Sequence, residues 1–159
     1  MMVDFKSVLE RFCAAVESND GPGLAALFAE DGVYNDYLYG PFQGREAIGQ
    51  MLNNHFWGDA EAFRWQMIDP VCDGRVGYAR YLFSFTSIMP AYPGRRVVLE
   101  GTSIFHFDAD GMVESYRETA HGAPAMSQLG VEPERMAKRS RRWADELLAR
   151  DEAAPHRQA

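Results

Sequence analysis

Apolar residues return at helical spacing in the first third of the chain and at every second position later. Phe5, Val8, Leu9, Phe12 and Val16 follow the i, i+3, i+4, i+7, i+11 rhythm of one helix face, and Asp4 stands where an N-cap belongs. Asn19-Asp20-Gly21 ends that helix, and Pro22 suits the first turn of the next. The second helix is short, carries Leu24, Leu27 and Phe28 on one side, and is expected to end at Asp31-Gly32. A strand containing Asp36 follows, then a loop from Gly40 to Gly44. A third helix is expected from Arg45 to Phe56, with Ile48, Met51, Leu52 and Phe56 as its stripe.

From Ala62 the period changes to two, with Phe63, Trp65 and Met67 alternating with Arg64 and Gln66. Long strands are predicted over Val76–Ser87 and Arg95–Phe107, separated by Pro90-Ala91-Tyr92-Pro93-Gly94. Asp108-Ala109-Asp110-Gly111 reads as a hairpin turn, after which Met112 to Ala120 pairs back. The order is helix, helix, strand, helix, then four antiparallel strands, which is the α+β layer solution. A last helix is predicted from Glu132 to Arg150, with Met136, Ser140, Trp143 and Leu147 as a narrow seam and a frayed tail after Glu152. Arg135, Lys138, Arg139, Arg141 and Arg142 crowd its other faces, and read either as a solvated surface or as an anionic-substrate site.

Composition narrows the classes. Hydrophobic residues make up 47% of the 159, which argues against disorder and gives one domain a core. No stretch approaches the roughly 20 apolar residues of a membrane span, and Met1-Met2-Val3-Asp4 begins no signal peptide, so a cytoplasmic protein is expected. A net charge of −7 disfavours nucleic acid as a partner. Cys13 and Cys72 make no disulfide framework, and His55, His106, His121 and His156 lack metal-ligand spacing. No phosphate loop or Gly-x-Gly-x-x-Gly implies a nucleotide cofactor, so no cofactor and no metal is expected.

The run Ala25-Ala26-Leu27-Phe28-Ala29-Glu30-Asp31-Gly32-Val33-Tyr34-Asn35-Asp36-Tyr37, followed by Gly40-Pro41-Phe42-Gln43-Gly44-Arg45-Glu46-Ala47-Ile48, resembles the signature of the nuclear transport factor 2-like superfamily. The resemblance covers roughly residues 5–130 and implies a cone-shaped, cystatin-like fold with a curved antiparallel sheet wrapped around the N-terminal helices. It divides the chain into a cone domain, residues 1–130, and a C-terminal helical extension, residues 131–159. Ketosteroid isomerases, scytalone dehydratase and SnoaL-like polyketide cyclases share this fold. The resemblance implies that Asp36 matches the aspartate that moves a proton in the isomerases. The isomerase's oxyanion tyrosine falls on Phe12 and its protonated aspartate near Ser103, so ketosteroid isomerisation itself is not expected. The stretch from Glu114 through Tyr116, Glu118 and His121 to Gln128-Leu129-Gly130 resembles the tail of SnoaL-like proteins. Tyr116 stands for their tryptophan, and either His121 or Glu118 stands in for their acid.

Asp36 among Tyr34, Tyr37 and Leu38 would be a desolvated base if it faces inward, or a solvated turn residue if it does not. His55 on the third helix's stripe reads as a core histidine or as a proton donor. Asp36, His55 and His121 are therefore the catalytic candidates. Tyr34, Trp57, Tyr78 and Arg80 are candidates for holding a substrate, with Arg80 able to pair with Asp36 if its face is concave. Ser103, Phe105, Tyr116 and Glu118 complete that set. The expected function is cofactor-free proton transfer (isomerisation, dehydration or cyclisation) on a largely apolar, ring-containing small molecule, and the rival is a ligand-binding or dimerisation module on the same scaffold. Tyr81, Phe83 and Phe85 lie opposite Arg80 and Leu82, so one face of the sheet needs cover and a homodimer through the convex face is expected.

Overall fold

A computed structural model describes residues 2–158. Asp4 caps helix α1 (Phe5–Glu17) by accepting the Ser7 N–H, and Asp20 caps α2 (Gly21–Ala25) by accepting that of Gly23. Strand β1 (Phe28–Asp36) and the short β2 (Gly40–Gln43) lead to α3 (Arg45–Met51). That helix loosens into a π-helical turn (Leu52–Phe56) and closes with the single turn α4 (Trp57–Asp59). Strands β3 (Ala60–Cys72), β4 (Val76–Ser87), β5 (Arg96–Phe107) and β6 (Val113–Ala120) follow, then α5 (Gly122–Leu129) and α6 (Pro133–Leu148).

The six strands form one curved sheet in the order β2-β1-β6-β5-β4-β3. Two breaks of register bend β3, between Glu61 and Arg64 and between Ile68 and Val71. Ala62 and Asp69, with φ of 52° and 54°, sit inside those breaks. Helix α1 packs on β3, α3 on β1 and β2, and α2 joins the two helices. Gly21 permits that junction, because a Cβ there would lie 2.6 Å from the Gly49 carbonyl oxygen. The core is aromatic at its centre: the ring of Phe12 lies 4.9 Å from Tyr116, 5.1 Å from Trp65 and 5.3 Å from Phe105. Cys13 is half-buried beside it, and burial pushes its thiol up to about 12. No helix among the described residues is long and apolar enough to cross a membrane.

Several elements differ from the expected ones. The second helix ends at Ala25, not Asp31, because Phe28 is drawn into the sheet beside Val113 and is fully buried there. The loop after Asp36 contains β2, which pairs with β1. The β1–β6 pairing is parallel, the other four antiparallel. The segment after His121 forms α5, and the tail forms a 3-10 turn, Asp151–His156, with Ala153 buried and Glu152 paired to Arg117 at 3.3 Å. Met1 and Ala159, at the bounds of the expected domains, lie outside the described residues.

Phe12 fills the meeting point of α1 and the sheet without a polar contact to lose. Phe12→Ala is expected to cost about 3–5 kcal/mol in urea unfolding, with the far-ultraviolet spectrum of the folded chain unchanged.

Candidate functional site

The site is set by one register. Tyr34 on β1 lies opposite Tyr116 on β6, and both rings are fully buried on the concave face. Side chains two residues further along each strand share that face. In a parallel pair the strands advance together, so Asp36 and Glu118 arrive side by side. Both line a cavity walled by Tyr37, Leu38, Tyr39, Phe56, Ala60, Phe63, Trp65, Phe83, Phe85 and Leu99.

Asp36 ends its strand, and its Oδ1 accepts the backbone N–H groups of Leu38 and Tyr39, both at 2.9 Å. Burial pushes its carboxyl up to about 6, while the two N–H bonds and the nearby His55 pull it back. Glu118 is pushed further, to about 8, by burial first and by the charge of Asp36 second. The Tyr116 hydroxyl donates to Glu118 Oε2 at 2.6 Å, and Ser103 Oγ lies 3.0 Å from that hydroxyl. The resulting chain Ser103–Tyr116–Glu118 holds the acid in one orientation. The buried indole nitrogen of Trp65 has no hydrogen-bond partner among the described residues, and the buried hydroxyls of Tyr34 and Tyr81 turn toward Tyr116 and Glu118.

The cavity holds about 60 Å³. Asp36, Tyr37, Tyr39 and Glu118 also line a second cleft, of about 710 Å³. Arg117, Arg142, Trp143, Glu146 and Arg150 border it, so α6 forms its outer wall. The two carboxyls therefore stand where an apolar inner cavity meets an outer cleft bordered by charged side chains.

The other candidates are placed as follows. Tyr34, Ser103 and Tyr116 stand behind the carboxyls. Phe105 is deeper, its ring 4.9 Å from that of Tyr116, and does not line the cavity. His55 is half-buried outside it, its ring 5.0 Å from that of Tyr39 and 5.3 Å from that of Phe42. His121 does not reach the site: it is exposed ahead of α5 and lines neither the cavity nor the outer cleft. Arg80 and Tyr78 fall on the convex face, because β4 buries Ala79 and Tyr81 instead. Arg80 pairs with Asp69 at 3.4 Å, not with Asp36. Trp57 is structural: its Nε1 donates to the Val16 carbonyl at 2.9 Å.

Sequence reading missed the aromatic wall of Trp65, Phe83 and Phe85. Their period-two alternation identified a shared face, but not which face was concave. It also missed Tyr39, whose hydroxyl donates to Asp59 Oδ2 at 2.7 Å. Among the described residues no group of three or more His, Cys, Asp or Glu side chains is placed to hold a metal ion.

A family model described as a SnoaL-like domain matches residues 9–116. The chain belongs to the SnoaL-like family. Its fold is that of the nuclear transport factor 2-like superfamily. Among solved structures it is similar to a hypothetical protein with a ketosteroid isomerase-like fold from Catenulispora acidiphila, in complex with trimethylamine: TM-score 0.69, 17% identity, 79% of this chain and 93% of that one. It is similar to TsrD from Streptomyces laurentii, with TM-score 0.68 and 20% identity over 80% of this chain and 96% of that one. An epoxide hydrolase of M. tuberculosis, described as LEH-like, aligns with TM-score 0.62 and 19% identity over 77% of this chain and 86% of its own. No curated protein matches the sequence. The SnoaL-like match ends at Tyr116, so Glu118 and the wall made by α6 lie beyond it. The Gln-Leu-Gly segment has a structural task here. Gln128 accepts the Val98 N–H and donates to the Val98 carbonyl, both at 2.8 Å, where β5 runs past the end of β6.

Both carboxyls hold their protons more tightly in the folded chain than the ordinary values of 3.8 and 4.5. The native state therefore binds more protons than the unfolded one between about pH 4 and pH 8. Their contribution to stability is complete below about pH 4 and is lost as pH rises through both folded values. Glu118→Gln keeps the shape and cannot ionise. It is expected to raise the melting temperature relative to the unchanged protein more at about pH 9 than at about pH 5, measured by thermal unfolding.

Proposed function

We propose that this SnoaL-like protein is a cofactor-free enzyme that moves protons on the reacting end of a small, largely apolar molecule, by isomerisation, dehydration or cyclisation. The observation that carries the reading is the pair of carboxyls in one cavity, with proton affinities raised to different extents, Asp36 to about 6 and Glu118 to about 8. At neutral pH Asp36 is then mostly ionised and Glu118 mostly protonated. Environments that push two titratable groups apart assign one as base and the other as acid. Asp36 takes a proton from carbon or from an attacking hydroxyl. Glu118 gives one to the oxygen on which charge develops; neither His55 nor His121 lines the cavity. The hydroxyl of Tyr116, backed by Ser103, steadies the Glu118 anion left behind. The aromatic wall keeps water from the exchange and strengthens each electrostatic term.

The cavity of about 60 Å³ is smaller than the roughly 150 Å³ of an engineered cavity that holds benzene. Only the reacting end enters it, and the remainder of the molecule lies in the outer cleft. The small volume is also what favours the second reading, a non-catalytic binding module. A homodimer through the convex face belongs to the proposal. Exposed Tyr78, Leu82 and Val98 support it, and sedimentation at micromolar concentration tests it.

Hydrogen–deuterium exchange at the α-carbons of a panel of small enolisable ketones, followed by NMR in deuterium oxide, reads proton abstraction without knowledge of the product. The protein is expected to accelerate exchange with a bell-shaped pH profile, its limbs near 6 and 8. Asp36→Asn should lower the rate by about 10²–10⁴ while the chain stays folded. Exchange that survives in the Asn variant sinks Asp36 as the base. No exchange and no turnover of ketones, β-hydroxy ketones or epoxides puts the binding-module reading ahead.

A further inference from the structure

The inner cavity combines two features that a purely apolar pocket does not need. Its wall carries the rings of Tyr37, Tyr39, Phe56, Phe63, Trp65 and Phe83, and no lysine, arginine or histidine lines it. At its neck stands a carboxylate with an open acceptor: both N–H bonds to Asp36 land on Oδ1, and no hydrogen bond from the described residues reaches Oδ2. A buried anion without a cation inside the same cavity is costly, and a neutral apolar ligand would remove its remaining water without replacing it. A cation would be drawn both to the carboxylate and to the negative faces of the rings. We propose that the inner cavity binds a small alkylated ammonium group, seated against the aromatic wall with its charge toward Asp36.

A volume of about 60 Å³ suits a head group of a few heavy atoms and excludes a fused ring system. The inference goes beyond the proton-transfer reading and does not rest on it, because binding needs no turnover. The groups that face the carboxyl pair are His55 from the π-helical turn, Tyr39 from the loop, Tyr34, Tyr81 and Tyr116 from the sheet, and Arg139 from α6 through Tyr39. The two basic side chains among them, His55 and Arg139, stand outside the cavity and line none of its wall.

Isothermal calorimetry on the whole protein, at constant ionic strength, would compare tetramethylammonium chloride with tert-butanol, a neutral molecule of the same size and branching. Tetramethylammonium is expected to bind saturably and at least about ten-fold more tightly. Its affinity should rise by about ten-fold or more between pH 5.5 and pH 8.5, because a cation favours the deprotonated pair. Asp36→Asn should weaken it by at least about ten-fold and leave tert-butanol unchanged. If circular dichroism shows that variant unfolded, Glu118→Gln takes its place, and should retain binding at pH 7 but lose the further tightening above it. Equal affinity for the two ligands, no saturable binding of tetramethylammonium, or an affinity indifferent to pH and to these substitutions overturns the proposal. Cation binding without catalysed exchange would leave this inference standing and remove the enzymatic one. Exchange without cation binding would do the reverse.

Discussion

The parallel pairing of β1 with β6 is the constraint on which the site depends. Strands far apart in sequence, one before the third helix and one at the end of the sheet, advance in the same direction from Tyr34 and Tyr116. An antiparallel register would have carried Asp36 and Glu118 away from each other. Because side chains alternate strictly, a slip of β1 by one residue would have turned Asp36 to solvent, and a slip of β6 would have turned Glu118. The register is pinned by packing: Phe28, Tyr34, Val113 and Tyr116 are fully buried, and none could move to the outer face without exposing its bulk.

Two carboxyls brought together in an apolar setting cannot both ionise cheaply. Water is largely removed from each, and the charge of Asp36 opposes that of Glu118. Hydrogen bonds compensate each of them: Asp36 receives two backbone N–H groups and the field of His55, and Glu118 receives the hydroxyls of Tyr116 and Tyr81 and the backbone of Tyr37. The balance still differs, because the charge of Asp36 raises Glu118 further, so Asp36 ionises first and holds the other neutral. The same pair gives a proton-transfer site its acid and base, and gives a cation a reason to enter.

Local pattern made some of this legible and could not reach the rest. Helix α1 and strands β4 and β5 follow from periodicity alone, since their apolar faces are set within one element. The end of α2 was misjudged because Leu27-Phe28-Ala29-Glu30 looks helical by itself, and only pairing with Val113 makes it a strand. Asp36 was identifiable through a family resemblance and its tyrosine neighbours. Glu118 and His121 are both candidates by sequence, because local pattern does not show which of them faces the cavity; the structure puts Glu118 in its wall and leaves His121 exposed. Arg80 and Tyr78 were misplaced for a simpler reason: alternation names two faces, and only the packing of α1 against the sheet decides which is inside.

Helix α6 shows how a weakly buried element can still govern the site. None of its residues is buried, and Arg142 and Glu146 form a solvated pair at 2.9 Å. Yet Trp143 stacks on Tyr37 with ring centroids 4.5 Å apart and donates its Nε1–H to the Tyr37 carbonyl at 3.1 Å. Arg139 donates to the carbonyl of Leu38 at 3.4 Å. Gly122 permits this approach, since a Cβ there would collide with the Trp143 ring. The residues so held are the loop whose N–H groups grip Asp36. Each contact contributes on the order of 1 kcal/mol, too little to stabilise a core but enough to favour one conformation of a short turn. The extension beyond the SnoaL-like match thus does two things from one position. It walls the outer cleft, and it fixes the backbone that orients the carboxylate at the neck of the inner cavity.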